Sequence, residues 1–362
     1  MSASQIVAEV QGGTGLLTLN RPQALNALSL EMIRALTAAL LAWRDDAAVR
    51  AVVVRGATQD GKGVAFCAGG DIRFFHQAAL AGDPRLEDFF TEEYALNHLI
   101  HHYPKPYVAL MDGIVMGGGM GISQGASLRV VTERSKLAMP ETHIGLFPDV
   151  GGGWFLSRCA GRLGEYLALT GQVLGAADAI ACGLADVCVE SSQLPALLEA
   201  LVDQPQENAA QLRATVEARA VVPAASTVLD RAAIDRHFAA HSVQAIVESL
   251  RGDGGDWAQA TLATLAKRSP LMMAVTLEQV RRARTMTLAD DLRMERDLVR
   301  HCFQLRPGAA SETVEGIRAL AVDKDHSPRW NPARIEDVTG EMVAAFFESP
   351  WPAHAHPLRA LR

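Results

Sequence analysis

Basic residues are in deficit in this 362-residue chain: 34 Lys and Arg stand against 41 Asp and Glu, a formal net charge of −7, and no Lys/Arg run forms a stripe. A nucleic-acid binder would show a basic balance or a basic stripe, so nucleic acid is not an expected partner. Cysteine is scarce as well. The five, at 67, 159, 182, 188 and 302, are odd in number and widely spaced, with no C-x-x-C pair to suggest zinc or redox chemistry. They read as reduced cytosolic thiols. No apolar run reaches the roughly 18 residues a spanning helix requires; the best, 35–43, ends at Arg44-Asp45-Asp46. The opening MSASQIVAEVQGG lacks the charged start, apolar middle and small-residue cleavage site of a secretory signal, so the expectation is a cytoplasmic protein with no membrane partner. Internal repeats and low-complexity linkers are missing too. Apolar material is what the chain has in quantity. At 49% hydrophobic it is neither disordered nor collagenous, and its length fits two domains or one large core with an appendage.

Two textures meet near residue 190. In the first, Gly15 to Leu19 is a strand candidate that runs into the turn signal Asn20-Arg21-Pro22. Ser29 precedes LEMIRALTAALLAWRDD, whose apolar residues recur at helical spacing, which makes Ser29 an N-cap candidate. Val49 to Val54 is then a β-branched run bounded by Gly56, long enough only for a buried strand, and 107–116 and 128–131 repeat the theme. Alternation of strand, helix and strand argues for crossover units and an α/β fold. Beyond 190, stretches rich in Ala, Leu, Arg and Glu at 194–219, 242–268 and 286–305 carry helical periodicity. The expected organisation is an α/β core over 1–190 and a mostly helical region over 191–362. Gly252 to Gly255 reads as a turn, and the closing PWPAHAHPLRALR as a loosely ordered tail.

Three glycine-bearing segments could carry chemistry. The first, Phe66-Cys67-Ala68-Gly69-Gly70-Asp71-Ile72, follows the Val49–Val54 strand. The second, Gly113-Ile114-Val115-Met116-Gly117-Gly118-Gly119-Met120-Gly121, follows a strand and precedes a helix-like segment. Glycines let backbone N–H groups approach a ligand closely, and two N–H groups aimed at one point make an oxyanion hole. Each segment alone reads equally as a tight strand-to-helix turn, and no G-x-G-x-x-G follows the first strand to support dinucleotide binding. The third segment runs from Met139-Pro140-Glu141-Thr142-His143-Ile144 to Gly145-Leu146-Phe147-Pro148-Asp149-Val150-Gly151-Gly152-Gly153. It sets two carboxylates in an apolar loop, where burial raises a carboxyl pKa and makes it useful as an acid or base. The alternative is that Glu141 caps a helix and Asp149 closes a turn.

Taken together, these segments resemble the enoyl-CoA hydratase/isomerase (crotonase) superfamily, and within it the 3-hydroxyisobutyryl-CoA hydrolase branch. The resemblance extends through Leu19-Asn20-Arg21-Pro22 with Asn26-Ala27-Leu28, Glu92-Glu93-Tyr94 with Leu96-Asn97, and Lys105-Pro106-Tyr107-Val108-Ala109-Leu110. In the second half, Asp323-Lys324-Asp325-His326-Ser327-Pro328-Arg329-Trp330 and Asn331-Pro332-Ala333 match the hydrolase branch rather than the short hydratases. Coverage is nearly the whole chain. The resemblance implies a spiral core of repeated β-β-α turns, a helical C-terminal region and an acyl-CoA thioester as substrate. By position it makes the N–H groups of Gly70 and Gly118 the oxyanion hole, Glu141 the principal catalytic carboxylate and Asp149 the second. Glu93 aligns with a position that helps bind the substrate near its hydroxyl group. No metal and no cofactor is implied, coenzyme A being part of the substrate, and a homo-oligomer is left open.

Three activities follow for comparison. The leading one is hydrolysis of a short-chain 3-hydroxyacyl-CoA, 3-hydroxyisobutyryl-CoA of valine breakdown foremost. A hydratase or isomerase on enoyl-CoA would share the fold and the oxyanion hole. An acyl-CoA-binding protein without turnover is disfavoured by the presence of both Glu141 and Asp149. Hydratases of the superfamily carry a Glu two residues after the triple glycine, where this chain has Gly121, and usually a glycine where it has Asp149. Other polar residues read as structural. His98, His101 and His102 have near-helical spacing but no acidic partner at a metal-site interval, and Cys67 has no base beside it. His143 reads as loop surface or packing, and Ser29 and Ser157 lack a G-x-S-x-G context.

Overall fold

A computed structural model describes residues 4–58, 63–203, 209–226 and 229–362, and the chain divides into two compact units that alternate along the sequence. One unit takes residues 1–70, 95–138 and 173–228, the other 71–94, 139–172 and 229–362. Among the described residues, no helix is long and apolar enough to cross a membrane.

The first unit holds the strands. They are β1 (Ile6–Gln11), β2 (Thr14–Leu19), β3 (Ala51–Gly56), β4 (Ala65–Cys67), β5 (Tyr107–Met111), β6 (Ile114–Met116), β7 (Leu128–Val131), β8 (Lys136–Ala138) and β9 (Val187–Cys188). A six-stranded sheet runs β1-β2-β3-β5-β7-β9 and a three-stranded one runs β4-β6-β8. Among the described strand pairs, β1–β2 is antiparallel and the others are parallel. The pairs β3/β4, β5/β6 and β7/β8 each give one strand to either sheet, so successive passes of chain climb as a spiral. The β-branched run expected at Val49–Val54 supplies β3, and Ala51 to Val54 are all buried, as in a parallel strand covered on both faces. On one face Val53, Val108, Leu110 and Val130 pack with Leu197 and Leu201 of the helix Leu194–Asp203 and with Leu212 and Val216 of the helix Ala209–Glu217. These two helices fill most of the helical stretch read at 194–219; residues 204–208 lie outside the described residues.

Local chemistry explains the turn after β2. Buried Asn26 accepts from Arg21 N at 2.9 Å and donates to Ala57 O at 3.0 Å and Ala65 O at 2.8 Å, so one amide ties the turn to β3 and β4. The helix Leu30–Arg44 starts where expected, with Ser29 Oγ accepting from Met32 N.

The second unit is helical, and among the described residues every element from Ser191 onward is a helix. The stretch read at 242–268 is two helices, Val243–Asp253 and Asp256–Leu265, parted at Gly254. The one read at 286–305 is Leu288–Gln304, capped by Thr287. Phe75, Phe89 and Phe90 form an aromatic knot with ring centroids 4.7 to 5.5 Å apart, and Phe303 joins it 5.8 Å from Phe90.

The loosely ordered tail expected at 350–362 is corrected. Leu358 is buried, its carbonyl accepts from Arg293 Nε at 3.2 Å, and His356 Nε2 sits 3.2 Å from Asp297. The guanidinium groups of Arg296 and Arg300 lie over the Trp351 ring, 4.8 and 5.0 Å from its centre. A closing segment reads as a loose end, but Trp351 and Leu358 supply the apolar anchors that bind this one down.

Candidate active site

Within the first unit the two short glycine segments meet. Gly69 has φ +105°, a conformation that favours glycine, and a Cβ there would lie 3.4 Å from Met116 O and 3.9 Å from Gly118 N. Gly119 is in contact from the other side, since a Cβ on it would come within 2.3 Å of Cys67 O. The close approach requires glycine at 119, whereas at 69 the backbone angle, not the contact, is what calls for it. Leu28 forms a parallel bridge with Gly70, in which Leu28 N donates to Gly69 O at 2.8 Å. Leu28 thus pairs with the residue flanking Gly70 and leaves Gly70's own N–H out of that bond. Gly118 opens the short helix Gly118–Gln124, and Gly121, one turn in, is buried. The Gly70 and Gly118 loops are therefore neighbours, as an oxyanion hole built from both requires. Cys67 is buried with Sγ 3.7 Å from Gly69 O, in keeping with a packing role.

Within the second unit three carboxylates collect. Glu93, on the helix Arg85–His101, is 2% exposed, Glu141 6% and Asp149 5%. Glu141 is the first residue of a 3-10 turn, Glu141–Ile144, whose N-cap position is Pro140, so Glu141 is not its cap. Asp149 does close a turn, with its carbonyl, which accepts from Gly152 N at 2.7 Å. Its Oδ2 accepts from the hydroxyl of buried Tyr94 at 2.8 Å. Glu93 Oε1 and Glu141 Oε2 are buried without a hydrogen-bond partner.

Electrostatics follow from this crowding. Burial, then the charges of Asp149 and Glu141, hold the Glu93 carboxyl well above the usual range. Burial and the Asp149 charge do the same for Glu141. Asp149 is pushed up to about 6 by burial, against the pull of the Tyr94 hydroxyl. A carboxyl whose folded pKa exceeds its ordinary value, 4.5 for Glu, costs the fold nothing below that value and progressively more as pH rises toward the folded one. Glu93→Gln should consequently raise the thermal midpoint more at pH 8 than at pH 5, by scanning calorimetry; an equal shift at both would show that Glu93 is not strained by ionisation.

Four residues that the sequence did not single out shape this site. Tyr94 is one. Glu295, Gln279 and Asp291 are the others: Glu295 accepts from Gly151 N at 2.7 Å and Gly153 N at 2.9 Å, Gln279 Nε2 donates to Pro148 O at 2.6 Å, and Asp291 accepts from Trp154 N at 2.9 Å. The remaining candidates have their own surroundings. His98 and His102 stack with ring centres 4.2 Å apart, and no metal-holding group of three His, Cys, Asp or Glu occurs among the described residues. His143 is half-buried, and burial, then the neighbouring side chains of Arg268, His326 and Lys267, hold it below its ordinary pKa.

Known proteins agree with this architecture. The enoyl-CoA hydratase/isomerase family profile matches residues 14–347. The chain is 42% identical to the mitochondrial 3-hydroxyisobutyryl-CoA hydrolase of Gallus gallus over 353 residues, 96% of this chain and 89% of that one. It is 40% identical to the Homo sapiens protein of the same name over 354 residues, with the same shares covered. A solved carnitinyl-CoA dehydratase from Mycobacterium thermoresistibile is similar with a TM-score of 0.87 at 39% identity, over 96% of this chain and 97% of that one. An enoyl-CoA hydratase from Rhodobacter sphaeroides 2.4.1 gives 0.83 at 36% identity, over 96% and 98%. The chain belongs to the enoyl-CoA hydratase/isomerase (crotonase) family and has its α/β spiral fold with a helical C-terminal region.

Proposed function

We propose that this protein hydrolyses a short-chain 3-hydroxyacyl-CoA thioester, with 3-hydroxyisobutyryl-CoA as the preferred substrate and 3-hydroxyisobutyrate and free CoA as products. The observation that carries the reading is the buried trio Glu93, Glu141 and Asp149, in which Glu93 Oε1 and Glu141 Oε2 lack partners. The hydrolase names of relatives 40–42% identical support it.

In this reading the Gly70 and Gly118 N–H groups stabilise the negative charge that grows on the thioester oxygen when the carbonyl is attacked. Glu141 either attacks the carbonyl itself or takes a proton from the attacking water; both roles need it ionised. The C–S bond then breaks and the departing thiolate takes a proton, which Asp149, its carboxyl pushed up to about 6 by burial, is suited to supply. A nucleophilic Glu141 leaves an acyl anhydride that water hydrolyses, so that either route consumes one water per thioester.

The names of the two solved relatives favour enoyl-CoA hydration as a second reading. Gly121 speaks against it. Syn-addition of water needs one group to activate water and another to deliver a proton to the α-carbon, and Gly121 offers no side chain for the second.

Glu93 gives the substrate test. A buried carboxylate oxygen without a partner rewards an acyl chain that brings a hydroxyl, because the plain analogue leaves it unpaired. Thiol release should therefore show a higher kcat/KM for 3-hydroxyisobutyryl-CoA or 3-hydroxypropionyl-CoA than for isobutyryl-CoA, and Glu93→Ala should narrow the gap. Equal rates for hydroxylated and plain substrates would remove Glu93 from substrate recognition.

A further inference from the structure

We propose that Glu295 is a positioning residue for Asp149, fixing the Pro148–Gly153 loop through its backbone so that the Asp149 carboxylate is held ready; this rests on the hydrolase reading of Asp149. Both oxygens of Glu295, a side chain with 0% exposure, are spent on that loop: Oε2 accepts from Gly151 N at 2.7 Å and Oε1 from Gly153 N at 2.9 Å. Gln279, equally buried, bridges the same parts, donating to Glu295 Oε1 at 3.1 Å and to Pro148 O at 2.6 Å. Asp291, one turn before Glu295, accepts from Trp154 N at 2.9 Å. Backbone groups on either side of Asp149 are thus fastened to two helices, Pro270–Ala283 and Leu288–Gln304.

What these ties hold is a conformation the loop would not choose. Val150, next to Asp149, has φ +56° and is buried, and a β-branched residue in the left-handed region persists only where its surroundings over-determine it. The clamp itself is expensive. Two carboxylates on one helical turn, both fully buried, repel each other unless they share a proton, and burial pushes Asp291 up to about 7 while Glu295 is raised by burial and by the Asp291 charge. An apolar contact or an amide could close an ordinary loop without that cost. A strained backbone held by a costly polar network beside a reacting group is the pattern of a preorganised site.

Kinetics on 3-hydroxyisobutyryl-CoA, read as thiol release, test the role. Glu295→Gln keeps the shape but offers one acceptor oxygen to two N–H donors, so the loop should loosen. The expected result is a kcat lowered by roughly 10- to 100-fold, the scale of a catalytic group misplaced by about 1 Å, with KM changed by less than about threefold. Combined with Asp149→Asn, it should add little to the loss that Asp149→Asn causes alone. A folded Glu295→Gln enzyme with native kcat overturns the proposal, and so does a double variant whose losses multiply, which would leave the hydrolase reading standing. Asp149→Asn with undiminished kcat would overturn the proposal together with that reading of Asp149. Should Glu295→Gln fail to fold, Gln279→Met removes the tie to Pro148 O at similar volume, and the same non-additivity with Asp149→Asn is expected; multiplying losses again contradict.

Discussion

Glu141→Gln is expected to reduce thiol release from 3-hydroxyisobutyryl-CoA by about 10²–10⁴, the contribution of a positioned acid or base. The replacement preserves shape and deletes only the ionisable group. Glu141 is buried, its Oε2 has no partner, and burial with the Asp149 charge holds its carboxyl above the ordinary range. Those features make the native carboxylate costly to keep charged and reactive when it is charged. The same substitution should therefore leave the thermal midpoint at pH 8 unchanged or higher, since a residue selected for chemistry rather than stability is relieved when its charge is removed. Loss of activity with retained stability separates a catalytic group from a structural one. Near-native kcat in Glu141→Gln would remove Glu141 from the reaction.

Gly70→Pro is expected to lower turnover by about 10²–10³, the scale for one oxyanion donor. Ordinary side-chain changes leave a backbone N–H in place, whereas proline deletes the hydrogen itself. The bridge to Leu28 survives on paper, because its bond runs from Leu28 N to Gly69 O and does not use the Gly70 N–H. Proline also restricts the residue before it, and Gly69 is the residue type best able to absorb that. Circular dichroism and a crystal structure of the variant check that the Gly69–Gly118 approach is kept. A correctly folded Gly70→Pro enzyme with unimpaired turnover would show that the donor lies elsewhere.

The parts of the fold that announced themselves in the sequence were those with enough length to show a period. The β-branched run at Val49–Val54 and the apolar stripe after Ser29 sit where β3 and the helix Leu30–Arg44 are found. The three-residue strands β4, β6 and β8 carry no period at all, so the second sheet was invisible except through the family resemblance. The segment 107–116 shows the same limit, since it breaks at Asp112-Gly113 into β5 and β6. Glu141 and Asp149 were legible only as members of a recognised loop; taken alone, two acids among Pro and Gly read equally as a cap and a turn. Their supports were harder to see because Tyr94, Gln279 and Glu295 act from helices distant in sequence. One signal was available for the last. Glu295 lies in phase with Leu288, Leu292 and Val299 on the buried stripe of its helix, and a charge on an apolar stripe calls for a buried partner.

The central claim, that a thioester is cleaved rather than a double bond hydrated, is tested most directly by two readings on one preparation: the absorbance of crotonyl-CoA, and free thiol released from 3-hydroxyisobutyryl-CoA. With Gly121 in place of a second glutamate, the enoyl absorbance should persist while thiol accumulates with catalytic turnover. Rapid loss of the enoyl absorbance with no free thiol from the hydroxyacyl thioester would contradict the hydrolase account and make the protein a hydratase.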